Sequence, residues 1–165
     1  MFAIMNVFIN HLRKPSMLCV SGLFALLASC GSPGTMEVRQ FHLKSVEVEG
    51  LKQAPMVRGE QMYRLRGAVS MEERRQRLGQ YYTVSWKNDG SHAGAMKIVM
   101  DYQQAATGSE ILSKSRDLPA GQASGRLEFK VSGEDYRTGG RVLAWRIRML
   151  SGNKIITEKR SYLWK

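Results

Sequence analysis

The feature that most constrains the fold is a period of two in the apolar residues from residue 80 onwards. Tyr82, Val84 and Trp86 alternate with other residues, and the same spacing recurs in three later segments. Neighbouring side chains of a β-strand point to opposite faces, so each segment predicts a strand with one buried face. The predicted strands are residues 80–87, 95–103, 125–132 and 141–150, with turns at 88–90 and 151–154.

Three further segments complete the predicted sheets. Residues 36–49 form a candidate first strand, but their alternation slips midway, as at a bulge or where a strand changes sheets. Residues 110–118 are more polar and end before a proline, which is typical of an edge strand. Residues 155–164 return as a hairpin partner, with Tyr162 and Trp164 expected in the core.

One short helix is predicted between the first strand and residue 80. Ser70 and Glu73 have the spacing of a capping box, and Gly79 is expected to stop the helix after residue 78. Residues 60–69 fit either a strand or a helical turn. Loops are predicted for residues 51–59 and 133–140, which contain glycines and a proline.

Together these segments predict an all-β domain over residues 36–165. Six or seven short antiparallel strands with buried tryptophans favour an immunoglobulin-like antiparallel β-sandwich with one short helix. A partly closed barrel is the alternative architecture. The length suits a single domain with a core of its own.

The first 29 residues differ in character from the predicted domain. Arg13 and Lys14 precede an uncharged, mostly apolar run at residues 17–29. A membrane-spanning helix needs about 20 apolar residues, so this shorter run favours a cleaved signal peptide at residues 1–29. An N-terminal helix buried in the fold is an alternative.

The run ends in Leu27-Ala28-Ser29-Cys30, which resembles the lipobox of bacterial lipoproteins. The resemblance implies cleavage before Cys30 and lipidation of its thiol by acyl chains such as palmitate, followed by a spacer at residues 30–35. An ordinary secretory signal cleaved near residues 28–29 is the alternative. Because Gly31 rather than an aspartate follows Cys30, the resemblance favours the outer membrane if the cell has two membranes.

The charge balance indicates which partners to expect. The chain carries 25 basic and 14 acidic residues; residues 1–29 hold two of the basic ones, so the remaining 136 residues keep a net charge of about +9. A positive surface attracts acidic polysaccharides, anionic lipid headgroups or an acidic envelope protein. Nucleic acid is not expected, because neither the export signal nor the motifs suit it. The candidate anion-binding residues are Arg74, Arg75, Arg77, Arg146 and Arg148, with Tyr81 as a possible exposed anchor.

No motif predicts catalysis, a metal or a cofactor. His42 and His92 have no neighbour at metal-ligand spacing, and Cys30 would lose its thiol on lipidation. The candidate carboxylates for a hydrolase, kept only as an alternative, are Asp101, Asp117, Glu134 and Asp135. We therefore expect a lipid-anchored, non-catalytic binding or structural module of the cell envelope. The main alternative is an electrostatic binder of acidic polysaccharide or anionic headgroups.

Overall fold

The computed structural model describes residues 36–47, 54–88 and 94–165, all within one compact unit that spans residues 33–165. The described ranges contain seven strands and three short helices. In chain order these are β1 (Met36–Leu43), α1 (Pro55–Leu65), α2 (Met71–Gln76), β2 (Gly79–Lys87), β3 (Met96–Gln104), β4 (Leu112–Leu118), β5 (Ser124–Ser132), α3 (Glu134–Gly139), β6 (Val142–Ser151) and β7 (Lys154–Arg160).

The strands form two antiparallel sheets. Sheet A has the order β1-β2-β5 and sheet B the order β4-β3-β6-β7. In sheet A, Tyr82 pairs with Gln40 on one side and Phe129 on the other. In sheet B, the predicted edge position of β4 is confirmed. The mostly β class is also confirmed, and the division into two sheets favours a sandwich over a barrel.

One apolar core lies between the two sheets. Tyr82 and Val84 of sheet A share it with Ile98, Met100 and Ile147 of sheet B, and all five are fully buried. Burying such side chains is the main stabilising contribution to a domain of this size. The period-two pattern predicted these inward faces correctly, since in both sheets the alternation continues through the middle of the strand.

The alternation in residues 141–150 predicts that Leu143 points into the core with Ile147, and Tyr162 was also expected there, but both are exposed. Leu143 is the additional residue where the pairing of β6 with β3 shifts register, and it lies 46% exposed. A bulge of this kind reverses the side-chain parity before it. β7 ends at Arg160, so strand parity does not extend to Tyr162, which is almost fully exposed, while Trp164 turns back and is buried.

The first of two unpredicted helices, α1, begins within the predicted loop 51–59 and continues into residues 60–65, for which a strand and a helical turn were both open. Pro55 stands in its first turn, where a proline's fixed φ suits a helix and its missing N–H removes nothing. Gln61 and Leu65, four residues apart, form its buried side. Gly59 suggested a loop, but in the helix it only lowers the propensity by about 1 kcal/mol, which tertiary packing outweighs.

The predicted helix α2 is confirmed together with its cap. The Ser70 hydroxyl accepts from the Glu73 N–H at 3.1 Å, and the Glu73 carboxylate accepts from the Ser70 N–H at 2.9 Å. These two bonds satisfy the free amide groups of the first turn. The helix ends at Gln76, two residues earlier than expected.

The second unpredicted helix, α3, replaces the loop expected before β6. Acidic residues occupy its first turn and Arg137 its last, an arrangement that suits the helix dipole. Gly139 packs so closely on the Gln104 side chain that an added Cβ would lie 2.5 Å from it. The Gln104 amide donates to the backbone oxygens of Asp135 and Gly140, at 2.9 and 2.8 Å. Gly139, which indicated a loop in the sequence, therefore allows α3 to pack closely against β3.

Two other predictions, the end of the first strand and the turn at 88–90, fall partly outside the described ranges. The first strand, predicted to reach residue 49, ends at Leu43, just before the predicted slip. Residues 48–53 lie outside the described ranges. The turn predicted at 88–90 does so too, apart from Asn88.

Candidate functional site

Cys30, Gly31 and His92 lie outside the described residues. Lipidation and cleavage therefore stay predictions from the sequence. The other candidate arginines and acids fall on α2 with its C-cap, the outer face of sheet B, and the helix α3, while Tyr81 and His42 lie on sheet A.

The three candidate arginines of α2 differ in their surroundings. Arg77 donates from Nη1 to the backbone oxygens of Arg64 and Arg66, at 3.0 and 2.6 Å. Arg74 donates from Nε to a backbone oxygen at 3.3 Å. Arg75 is the most exposed of the three, with a side chain 64% exposed. Arg77 therefore links α2 to the end of α1, and Arg75 remains available to a partner.

Arg146 and Arg148 lie together on the outer face of sheet B and share one carboxylate. Asp101 Oδ2 accepts from Arg146 Nη2 at 3.0 Å and from Arg148 Nη2 at 2.7 Å. Its other oxygen accepts from the Ser113 hydroxyl at 2.6 Å. The aspartate side chain is only 5% exposed. We call these four residues the Asp101 cluster; its two arginines already have an internal counterion.

The environment of Asp101 favours its charged form. Burial alone would raise the pKa of this carboxyl, but the hydrogen bonds from Ser113, Arg146 and Arg148, together with the positive charge of Arg148, outweigh it and lower the pKa. Trp164 extends the cluster, because the Arg146 guanidinium lies 4.9 Å from the centroid of its ring.

A second ionic cluster, missed in the sequence, lies on the outer face of sheet A under α1. Arg64, with a side chain 7% exposed, donates from Nη2 to Glu60 at 2.7 Å and also pairs with Glu128 of β5. The pKa of Arg64 is raised, because these carboxylates outweigh the effect of burial. We call this the Arg64 cluster. The four-residue spacing of Glu60 and Arg64 was the one available signal.

The prediction that Tyr81 is an exposed anchor was wrong. Tyr81 does point away from the main core, but α1 covers it, and it is 6% exposed. It packs with Leu43 and Leu65 in a second, smaller apolar cluster, and the Arg64 guanidinium lies 4.1 Å from the centroid of its ring. The exposure of Tyr81 was predicted wrongly because α1, the helix that covers it, was not predicted from the sequence.

Three of the four candidate carboxylates are held by basic side chains. Besides Asp101, Asp135 Oδ2 lies 2.8 Å from Lys114 Nζ, and Glu134 pairs with Arg137 at 2.7 Å. Asp117 lies exposed on β4, where its backbone pairs with Lys97. Within the described ranges, no three His, Cys, Asp or Glu residues form a group that could hold a metal ion.

His42 is half-buried and shares a hydrogen bond with another side chain. Its Nε2 lies 2.7 Å from the hydroxyl oxygen of Tyr136 in α3. Burial, and then the positive charges of Lys44 and Arg141, lower the pKa of His42. The neutral imidazole is therefore favoured in the folded protein.

The largest group of exposed apolar side chains within one described element belongs to α1. Met56 is 88% exposed, Met62 58% and Tyr63 62%, while Gln61 and Leu65 on the other side are buried. We call Met56, Gly59, Met62 and Tyr63 the α1 outer face. This face could not be predicted, because residues 51–59 indicated a loop and residues 60–69 fitted either a strand or a helical turn.

No protein-family model, curated protein or solved structure matches this chain. None of the helices in the described ranges combines the length and apolar character that crossing a bilayer would require.

Proposed function

We propose that this protein is an exported lipoprotein, anchored through Cys30, whose β domain serves as a non-catalytic binding or structural module of the cell envelope. The observation that carries the proposal is the sequence Leu27-Ala28-Ser29-Cys30 at the end of an uncharged run. A lipobox needs small residues beside the scissile bond and a thiol for diacylglyceryl transfer, and this segment supplies both.

The start of the folded domain supports the anchor. Met36 is already a core residue of β1, at 2% exposure, only six residues after Cys30. The two cysteines of the chain are Cys19, inside the predicted signal, and Cys30, so the mature protein would have no other cysteine to pair with position 30. A thiol reserved for lipid transfer fits this arrangement.

The charge arrangement of the outer faces supports a structural or binding role for the sandwich. Asp101 and Arg64 each lie at the centre of an ionic cluster in which partners from neighbouring elements satisfy the buried charge. These contacts join β3 to β6 and α1 to β5, and we infer that they help to specify the register of the strands and the position of the helix.

We further propose that the domain is immunoglobulin-like. Its seven strands divide as β1-β2-β5 and β4-β3-β6-β7. The constant-type immunoglobulin domain also has seven strands in two antiparallel sheets, with its fourth strand beside the fifth. Here β4 pairs with β3 instead, a variation within the broad sandwich class. An experimental structure in which the two sheets close into a barrel would contradict this assignment.

The anchor is tested on the two cysteines separately. The full chain, Cys19→Ser and Cys30→Ser are expressed in a bacterium with labelled palmitate, and the N-terminal peptide of each product is weighed. We expect the full chain and Cys19→Ser to begin at an acylated Cys30, and Cys30→Ser to carry no label. An intact N terminus or a free thiol at position 30 in the full chain would contradict the proposal.

A further inference from the structure

We propose that the α1 outer face rests on the surface of the membrane to which Cys30 is anchored and that anionic lipid headgroups are its ligand. This inference rests on the proposed function for the tether. The surface itself follows from the described residues.

The first argument is the distribution of side chains around α1. At about 100° per residue, Met56, Gly59, Met62 and Tyr63 occupy about 120° of the helix circumference. Leu65, about 60° beyond Met62, is buried in the cluster under the helix, while Val57, 45% exposed, lies outside this arc. Exposed apolar residues scattered singly need no explanation, but a contiguous apolar face on one helix marks an interaction surface.

The second argument is the charge around this face. Arg58 and Arg66 stand at its borders, and the Arg66 guanidinium lies 6.0 Å from the Tyr63 ring centroid. The acid of the helix, Glu60, is as close to Met56 around the helix as Arg58 is to Met62, but its charge is bound by Arg64. Each cation near an anionic headgroup layer adds about 1 kcal/mol. An apolar face bordered by cations complements an anionic lipid surface.

The third argument is the reach of the tether. Six residues separate Cys30 from Met36, and even a fully extended chain would span only about 20 Å there. α1 covers the same sheet that Met36 enters, and Met56 borders a groove lined by Arg39, Gln40 and Phe41 of β1. The lipid anchor therefore holds this sheet close to the bilayer. A weak contact between α1 and the headgroups is then enough for docking, because the anchor gives the helix a high effective concentration at the membrane.

The size of the face favours a lipid surface over a protein partner. A stable protein interface buries about 800 Å² on each side, more than the roughly two turns of exposed helix from Met56 to Tyr63 present. A bilayer interface accepts a few inserted side chains, and tyrosine is enriched at that depth because its ring is amphipathic.

The test measures the depth of labelled positions in the acylated full chain. Since Cys30 would be acylated and Cys19 removed with the signal, Met62→Cys introduces a single free thiol for a fluorescent label. Tyr162→Cys, at an exposed apolar residue outside α1, is the control; Tyr162 is 99% exposed and Met62 58%. Each protein is reconstituted in phosphatidylglycerol-containing vesicles with nitroxide-bearing lipids as quenchers.

We expect lipid nitroxides to quench the label at position 62 about threefold more than the label at 162, and dissolved iodide to show the opposite order. Adding Met56→Glu, or replacing phosphatidylglycerol by phosphatidylcholine, should reduce the difference. Equal quenching at both positions would overturn the proposal. If the label at position 62 were shielded from iodide in whole cells but not quenched by lipid nitroxides, the lipid proposal would also be overturned. That result would indicate a protein partner.

The mass of the N-terminal peptide separates this test from that of the anchor. If Cys30 is acylated and position 62 is not quenched, docking fails while the anchor stands. If Cys30 is not acylated, the labelled Met62→Cys protein is repeated with both native cysteines changed to serine and mixed with phosphatidylglycerol vesicles. Quenching there would support docking without the anchor, and its absence would overturn docking as well.

Discussion

The two outer faces of the β domain are built around buried charges of opposite sign. On sheet A, Arg64 is the buried centre and Glu60 and Glu128 are its partners. On sheet B, Asp101 is the buried centre, and two arginines of β6 are its partners. Both clusters place one charge between two opposite charges, so the first is left with a net negative charge and the second with a net positive one.

The partners differ in their access to water, and this difference should decide the energetics. Glu60 and Glu128 have side chains 39% and 36% exposed, so they can be hydrated without Arg64. Arg146 and Arg148 are 29% and 23% exposed, and Arg148 Nε is buried with no hydrogen-bond partner in the described part of the chain. A buried charge left without its counterion is costly, so the Asp101 cluster should be the harder to break.

The largest effect is expected from Asp101→Asn. The substitution keeps the shape of the side chain and its contact with Ser113 but leaves two arginines side by side without a counterion. We expect the free energy of unfolding to fall by about 2 kcal/mol, less than for a fully buried pair because both arginines reach water in part. Urea unfolding followed by tryptophan fluorescence measures this change.

Asp117→Asn is the matched control for this prediction. It removes an exposed carboxylate from β4, the strand that also contributes Ser113 to the cluster. The change in stability should be within about 0.5 kcal/mol of zero. Equal losses in the two variants would show that the Asp101 cluster contributes no more than a surface charge.

A smaller effect is expected from Arg64→Met. Methionine fills much of the volume of the arginine stem under α1, and the two glutamates that lose their partner can turn to water. Removing one partner of a fully buried pair is costly, but here the remaining glutamates reach water, so we expect a loss of only about 1 kcal/mol, part of it from the lost contact with the Tyr81 ring. Arg75→Met, on exposed α2, is the control. A loss larger than that of Asp101→Asn would reverse the comparison of the two faces.

The sequence could predict which residues share a face of one strand, but not which residues of neighbouring strands lie beside them. Alternation in residues 80–87 and 125–132 placed Tyr82 and Phe129 correctly, because a strand's faces follow from its own residues. The pairing of Asp101 with Arg146 depends on the register of two strands and joins residues that are 45 apart in the chain. No local pattern carries that register, so the two arginines looked like free cations.

Helices without a conspicuous cap were the other failure. Ser70 and Glu73 predicted α2 correctly, because a capping box is a local motif. α1 begins at Pro55 behind Ala54, which offers no side-chain cap, and it contains a glycine. Its stability comes from packing over Tyr81 and Leu43, which only the folded sheet provides. The loss of α1 from the prediction concealed both the Arg64 cluster and the α1 outer face.

The smallest effect, and the one needed to interpret acid unfolding of either face, is expected from His42. Because the pKa of His42 is lowered in the folded protein, the unfolded chain binds a proton first as the pH falls below about 6.5. Stability should therefore be fully present above that pH and decline below it, towards the lower pKa of the folded state. In His42→Gln, the urea midpoint should stay level from pH 7 to 5, whereas in Asp101→Asn the decline should persist. The pKa of Asp101 is also lowered, so its contribution is present above about pH 4 and is lost only at more acid pH. If the urea midpoint of His42→Gln still fell between pH 7 and 5, another group would be responsible for the proton uptake. Unfolding at acid pH could then not be used to compare the two clusters.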